Sequence, residues 1–158
     1  MFSKIKPYIV SVFIALGVGG LSALLTMGNM DIYKEITTPP LSPPSILFPI
    51  VWTVLYILMG ISAAMIFKDN MASVKKKKIA LSPYASSLIV NFAWSIIFFN
   101  FKAFLIAFLW LLLLLYLIIK TIVLYRKINK AAAYLQIPYA IWVAFAGYLN
   151  AGIFILNR

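Results

Sequence analysis

The sequence predicts an all-α integral membrane protein, a five-transmembrane-helix bundle with a long Pro-rich first loop acting as a lid. Three observations predict it. Five apolar runs each hold about the 20 residues that cross a ~30 Å hydrocarbon core as a helix, with every backbone amide paired inside its own segment. Of the 158 residues, 65% are hydrophobic and only three are acidic, too little polar surface to keep a domain of this size dispersed in water. Eleven of the fourteen Lys and Arg residues fall on one side of the alternating connections, as expected for segments that face the cytoplasm. The length suits one domain, residues 1–158.

The first run, about 8–27, follows Lys4 and Lys6. It is longer than the apolar part of a signal peptide, and Met27-Gly28-Asn29-Met30 is a poor cleavage site, so it is read as the first helix of the mature protein. About 20 residues then run from Asn29 to Phe48, with Asp31 and Glu35 in a short amphipathic start and Pro39, Pro40, Pro43 and Pro44 after it. Loops of this length are usually functional or disordered. Prolines fix φ and reduce the entropy lost on ordering, which favours a stiff lid across the outer mouth of the bundle over a loose spacer.

The second run, about 48–67, carries Trp52 and Tyr56 one turn apart, just below the prolines. A loop at 69–80 containing Lys75 to Lys78 leads to the third run, about 81–99, with Asn91, Trp94, Ser95 and Phe98 on one face. A membrane-embedded asparagine must find hydrogen-bond partners and faces the bundle interior. The fourth run covers about 103–125. The fifth, about 131–156, places Tyr139, Trp142, Phe145, Ala146, Leu149, Asn150 and Ile153 at spacings of three and four, which makes one stripe along a helix. Trp142 is too deep in that run for an interfacial aromatic belt. The short loops predict antiparallel packing of consecutive helices. Small residues in the first run (Gly17, Gly19, Gly20, Ala23) and the fifth (Ala140, Ala144, Gly147, Ala151) permit close helix approach, within the bundle by default or between two copies in a homodimer.

The net charge of +11 does not point to nucleic acid, because the cations are placed as membrane topology requires. The N-terminus, the second loop and the fourth loop hold all but Lys34, Lys102 and Arg158. This predicts a multi-pass protein of the cytoplasmic (inner) membrane with its N-terminus in the cytoplasm and its C-terminus outside. The Lys75–Lys78 run reads as a topology anchor that could also meet anionic lipid headgroups. With no histidine and no cysteine, and three carboxylates confined to loops, hydrolytic dyads, His-ligated haem and zinc sites lack their residues, and no metal site is expected. What remains suits binding. The predicted topology brings Trp52, Trp94, Phe98 and Asn150 together under the loop, with Asn91 and Trp142 deeper, as an aromatic pocket with a few amides and hydroxyls to orient a large flat apolar ligand.

The proline loop followed by FPIVWTVLYILMG, then NFAWSIIFF, then PYAIWVAFAGYLNAGIFILN resembles the TspO/MBR family of tryptophan-rich sensory or translocator proteins, here a bacterial member. The resemblance spans the whole chain. It implies a five-helix bundle with a ligand pocket capped by the first loop, binding porphyrins and, in animal members, sterols and synthetic drugs. It also implies tetrapyrrole signalling and light-dependent breakdown of protoporphyrin that depends on two pocket tryptophans, which match Trp52 and Trp142. Tyr33, Asn91 and Ala146 match further pocket positions.

The chain departs from the family in the loop. The usual Lys-Pro-x-Trp-x-Pro-Pro becomes Thr38-Pro39-Pro40-Leu41-Ser42-Pro43-Pro44, without the lysine or the tryptophan. The sterol motif of animal members does not carry over to the fifth run, where its tyrosine position is Ala151.

The expected ligand set is therefore Tyr33, Trp52, Tyr56, Asn91, Trp94, Phe98, Trp142, Phe145, Ala146, Leu149 and Asn150, with Trp52 and Trp142 as candidate electron or radical donors. Porphyrin is expected as a ligand and no cofactor is required; the lipid bilayer and a second copy are the other expected partners. Two other functions stay open: a transporter of porphyrins or other small apolar ligands, although the inverted repeats common in transporters are not seen, and a scaffold or signalling subunit whose pocket is incidental.

Overall fold

The computed structural model describes residues 1–158. Its helices are α1 (Phe2–Thr26), a short α2 (Ile32–Glu35), α3 (Leu47–Lys68), α4 (Val74–Ser95), α5 (Phe104–Arg126) and α6 (Lys130–Leu156). There are no strands. All but α2 are long and apolar enough to cross a membrane, which makes this a multi-pass membrane protein.

The five long helices close into a ring in the order α1, α3, α6, α5, α4 and back to α1. Consecutive helices α4, α5 and α6 pack side by side as their short connections require. The pair α3 and α4 departs from that expectation. Although only Asp69–Ser73 joins them, they touch little, because α1 packs against both. The approach of α1 to α3 is close: a Cβ on Gly60 would come within 2.5 Å of the Val12 backbone, and one on Gly19 would collide with the Tyr56 ring. Gly17 and Gly20 meet nothing and face outward.

Two helix starts differ from the sequence expectation. α1 begins at Phe2 rather than near residue 8, and α4 begins at Val74 rather than near residue 81. Hydropathy marks where lipid begins, whereas lysine is a good helix former and extends each helix past that boundary. The Lys75–Lys78 run thus forms the first turns of α4 instead of a loop. The Ser73 hydroxyl caps it by accepting the Lys76 N–H at 3.2 Å. Asp69 folds the connection into a tight turn by accepting the N–H groups of Met71 and Ala72 at 2.9 and 2.8 Å.

At its other end α4 widens. The Phe101 N–H reaches back five residues to the Ile96 carbonyl at 3.2 Å, so residues Ile96–Asn100 form a π-turn. Such insertions are frequent at functional sites. This one carries Phe98 and Phe99 inward beside the first loop. Asn100 then joins α4 to α1, donating to the Leu25 carbonyl at 3.1 Å and accepting from Asn29 at 2.8 Å.

Candidate functional site beneath the first loop

At the end of the bundle that carries the first loop, three helical stripes face one another. On α3, Phe48, Trp52 and Tyr56 recur every four residues, and Pro49 fits the first turn because its missing N–H has no helical partner there. On α4 and its π-turn, Trp94 and Phe98 are buried, with ring centroids 5.3 Å apart. On α6, Trp142, Ala146, Leu149, Asn150 and Ile153 make the third wall. Tyr33, on α2, closes the top by stacking on Phe48 at 5.4 Å and meeting Phe98 at 6.1 Å.

All of these residues but Tyr56 enclose a space that is nearly filled, with a free volume of about 10 Å³, enough for about one water. A ligand pocket for a drug-sized molecule is typically ~300 Å³ or more. Nine of the ten lining residues are hydrophobic, so the lining favours an apolar, aromatic guest. Trp142 packs between Phe48 at 5.8 Å and Phe145 at 5.6 Å, and its indole N–H is buried with no hydrogen-bond partner.

Of the residues expected at the site, Tyr33, Trp52, Trp94, Phe98, Trp142, Ala146, Leu149 and Asn150 line this space. Tyr56, Asn91 and Phe145 do not. Tyr56 lies one turn below Trp52, at 5.6 Å between rings, and its hydroxyl accepts a hydrogen bond from Asn91 at 3.0 Å. Phe145 sits behind Trp142, against Tyr148. Asn150 is held on both sides: its oxygen accepts the Trp94 indole N–H at 3.1 Å, and its amide donates to the Phe104 carbonyl at 2.7 Å. It therefore fixes one wall by tying α6 to α4 and α5. Phe48, missed as a site residue, was signalled by its position one turn before Trp52. The fourth tryptophan, Trp110, stands apart and donates its N–H to the Val90 carbonyl at 2.9 Å, joining α5 to α4.

The proline loop is strapped to the end of α6. The Thr37 N–H donates to the Asn157 side-chain oxygen at 2.9 Å, and the Asn157 amide returns a bond to the Thr37 carbonyl at 2.8 Å. The Tyr148 hydroxyl donates to the Pro40 carbonyl at 2.7 Å. Pro39 is seated directly on Gly152, where a Cβ would come within 2.6 Å of its ring. Leu41, at the position of the family's tryptophan, has φ 69° and an 83% exposed side chain, so it turns away from the pocket.

Beside the aromatic space, between the loop and the ends of α3 and α6, lies a second and more polar cleft of about 240 Å³. Its walls include Lys34, Thr38, Ser42 and Ser45. Tyr33, Phe48, Leu149 and Ile153 line both spaces. Burial pushes the Tyr33 phenol up to about 12, so it stays neutral throughout the physiological range.

The sequence matches known proteins over most of its length. The TspO/MBR family model matches residues 10–156. The chain is 34% identical to the tryptophan-rich protein TspO of Chlorobaculum tepidum over 79% of this chain and 78% of that protein. It is 35% identical to protein CrtK of Rhodobacter capsulatus over 88% and 85% of the two chains. The translocator protein of Bos taurus is 34% identical over 84% of this chain and 79% of its own. With a five-helix membrane bundle, a tryptophan-lined space beneath its first loop and matches over nearly the whole sequence, the chain belongs to the TspO/MBR family.

Proposed function

We propose that this protein binds tetrapyrroles of the protoporphyrin type in the aromatic space beneath the first loop and serves as a membrane porphyrin sensor. The observation that carries this reading is Trp142, a large indole on the wall of an apolar space whose buried N–H has no partner. Such a donor is costly to leave unmet in the bundle and is met when a ligand brings an acceptor. Trp52, Trp94 and Phe98 supply aromatic faces for a flat ring.

With only about 10 Å³ free, the ring enters when walls part. Trp94 and Phe98 are buried, and Asn150 clamps their side of the pocket. Tyr33 and Phe48 are only partly buried and belong to the loop and the first turn of α3. The first loop thus works as a lid that carries Tyr33 away and returns over the bound ring. The lysine-rich end of the bundle faces the cytoplasm, together with the N-terminus, and the lid faces outward across the inner membrane. Two copies associate as a homodimer, with Gly17 and Gly20 of α1 as the open small-residue face.

A titration of tryptophan fluorescence with protoporphyrin, run beside Trp142→Ala, tests the binding reading. Saturable quenching that the substitution weakens supports it, and unsaturable partitioning into the micelle rejects it. A chemical role is a second reading, favoured because Trp52 and Trp142 line one space and would both touch a bound ring as electron donors. Under illumination, Trp52→Phe with Trp142→Phe should then bind porphyrin but no longer bleach its Soret band. Equal bleaching in the double variant and the parent removes the tryptophans from the chemistry.

A further inference from the structure

The aromatic space beneath the loop and the polar cleft beside it share four wall residues, and the stacked pair Tyr33 and Phe48 stands between them. A ligand confined to the aromatic space would have no use for the cleft. A ligand with a flat apolar body and flexible anionic arms would use both.

The geometry points to the cleft as a carboxylate subsite, in which Lys34 and the hydroxyls of Thr38 and Ser45 hold the acidic arms of the ligand whose ring lies among the tryptophans. This inference rests on the porphyrin reading above and adds what that reading lacks, a chemical basis for recognising the acid groups. Lys34 is the only cation lining the cleft. In the structure it pairs with Asp31 at 3.5 Å, with both side chains more than four-fifths exposed. Such an exposed pair is weak and screened, so the ammonium can exchange one carboxylate for another. Thr38 and Ser45 make no side-chain hydrogen bond within the protein, and Ser42 donates to the Pro39 carbonyl at 2.7 Å, so two hydroxyls are free as donors. Charge-assisted hydrogen bonds from an ammonium and hydroxyls are the usual means of holding a carboxylate. Below pH ~10 Tyr33, on the dividing wall, is an uncharged phenol and does not repel an anion.

Thr38 occupies the position where the family usually carries lysine, and Lys34 comes from one turn of helix four residues earlier. Lys34 and Thr38 line the same cleft. Because α2 carries both Tyr33 and Lys34, the ring wall and the acid contact would move together when the lid opens.

The test compares protoporphyrin, a diacid, with its dimethyl ester, in neutral detergent at low and high salt. Four proteins are titrated: the parent, Lys34→Gln, Lys34→Arg and Trp142→Ala. The expected result is that Lys34→Gln weakens the diacid by about fivefold, the scale of one exposed ion pair. The ester should stay within about twofold, and Lys34→Arg should restore the diacid. High salt should weaken the diacid and leave the ester unchanged. If Lys34→Gln leaves the diacid unaffected, or weakens diacid and ester equally, the carboxylate subsite is wrong while ring binding stands. If neither compound saturates and Trp142→Ala changes nothing, the porphyrin reading falls and the subsite falls with it. Lys34 is exposed, so unchanged thermal unfolding of Lys34→Gln is the check that any effect is local.

Discussion

The two ends of the bundle interior fill the same kind of space with opposite chemistry. Beneath the first loop the core is made of indole and phenyl rings, and its polar atoms are few and mostly clamped, as in Asn150. Deeper, toward the lysine-rich end, the core holds hydroxyls and amides. The Ser62 hydroxyl donates to the Ala132 carbonyl at 2.7 Å and accepts from Gln136 at 3.2 Å, which staples α3 to α6. Asn91 meets Tyr56, and the buried hydroxyls of Tyr84, Tyr125 and Tyr139 have no aligned partner. Helices in lipid gain nothing from hydrophobicity between them, so packing and interhelical hydrogen bonds hold them together. Such bonds occur in both halves, but in the deep half they lie in the middle of the core, whereas in the loop half they lie at the edge of an aromatic filling. The difference separates a core sealed by polar pairs from one sealed by aromatic packing.

That division can be broken most directly at Trp142. Trp142→Ala should weaken ring binding by more than tenfold and also cost about 3 kcal/mol of stability by leaving a cavity, read by titration and by thermal unfolding in detergent. Binding that survives intact would mean the aromatic half is only packing. In the deep half the effects should run the other way. Ser62→Ala removes an acceptor and a donor at once and should cost about 1 to 2 kcal/mol, with ring affinity unchanged. A large loss of affinity would show that the staple also sets the pocket.

Smaller in size but opposite in sign, Tyr139→Phe removes a buried hydroxyl that has no partner and should be neutral or stabilising by up to ~1 kcal/mol. A clear destabilisation would mean that the hydroxyl is satisfied after all, through its close neighbours Ser87 and Asn91. The smallest effect concerns pH. Tyr33 is raised from 10.0 to about 12 by burial, so its fold favours the neutral phenol. The stability it confers on the loop is fully present below pH ~10 and is lost as pH rises through 10 to 12. Limited proteolysis of the loop, measured relative to Tyr33→Phe so that the protease's own pH dependence cancels, should show a constant ratio up to pH ~10 and a rise beyond it.

Much of the loop half was legible in the sequence because it is built from local repeats. Trp52 with Tyr56, Trp94 with Phe98 and the stripe from Trp142 to Ile153 are helical spacings, and helical spacing alone turns side chains to a common face. The ends of helices were less legible. The lysines of α4 read as a loop because hydropathy marks only where lipid begins, while their helix propensity and the Ser73 cap extend the helix. The cleft beside Lys34 was not legible at all. Its walls come from α2, the proline segment, the start of α3 and the end of α6, and no spacing in a linear chain announces that meeting. Likewise the use of Asn150 in joining three helices depends on a backbone carbonyl at Phe104 that carries no sequence signal.

The strap between Thr37 and Asn157 joins residues 120 positions apart. During synthesis the first loop leaves the ribosome long before its anchor does, and Tyr148 and Gly152 also follow only with the last helix. The roof over the pocket therefore cannot settle until the last helix has been made. Until α6 is in place, a nascent protein would carry the aromatic end of its bundle without the contacts that hold the first loop over it.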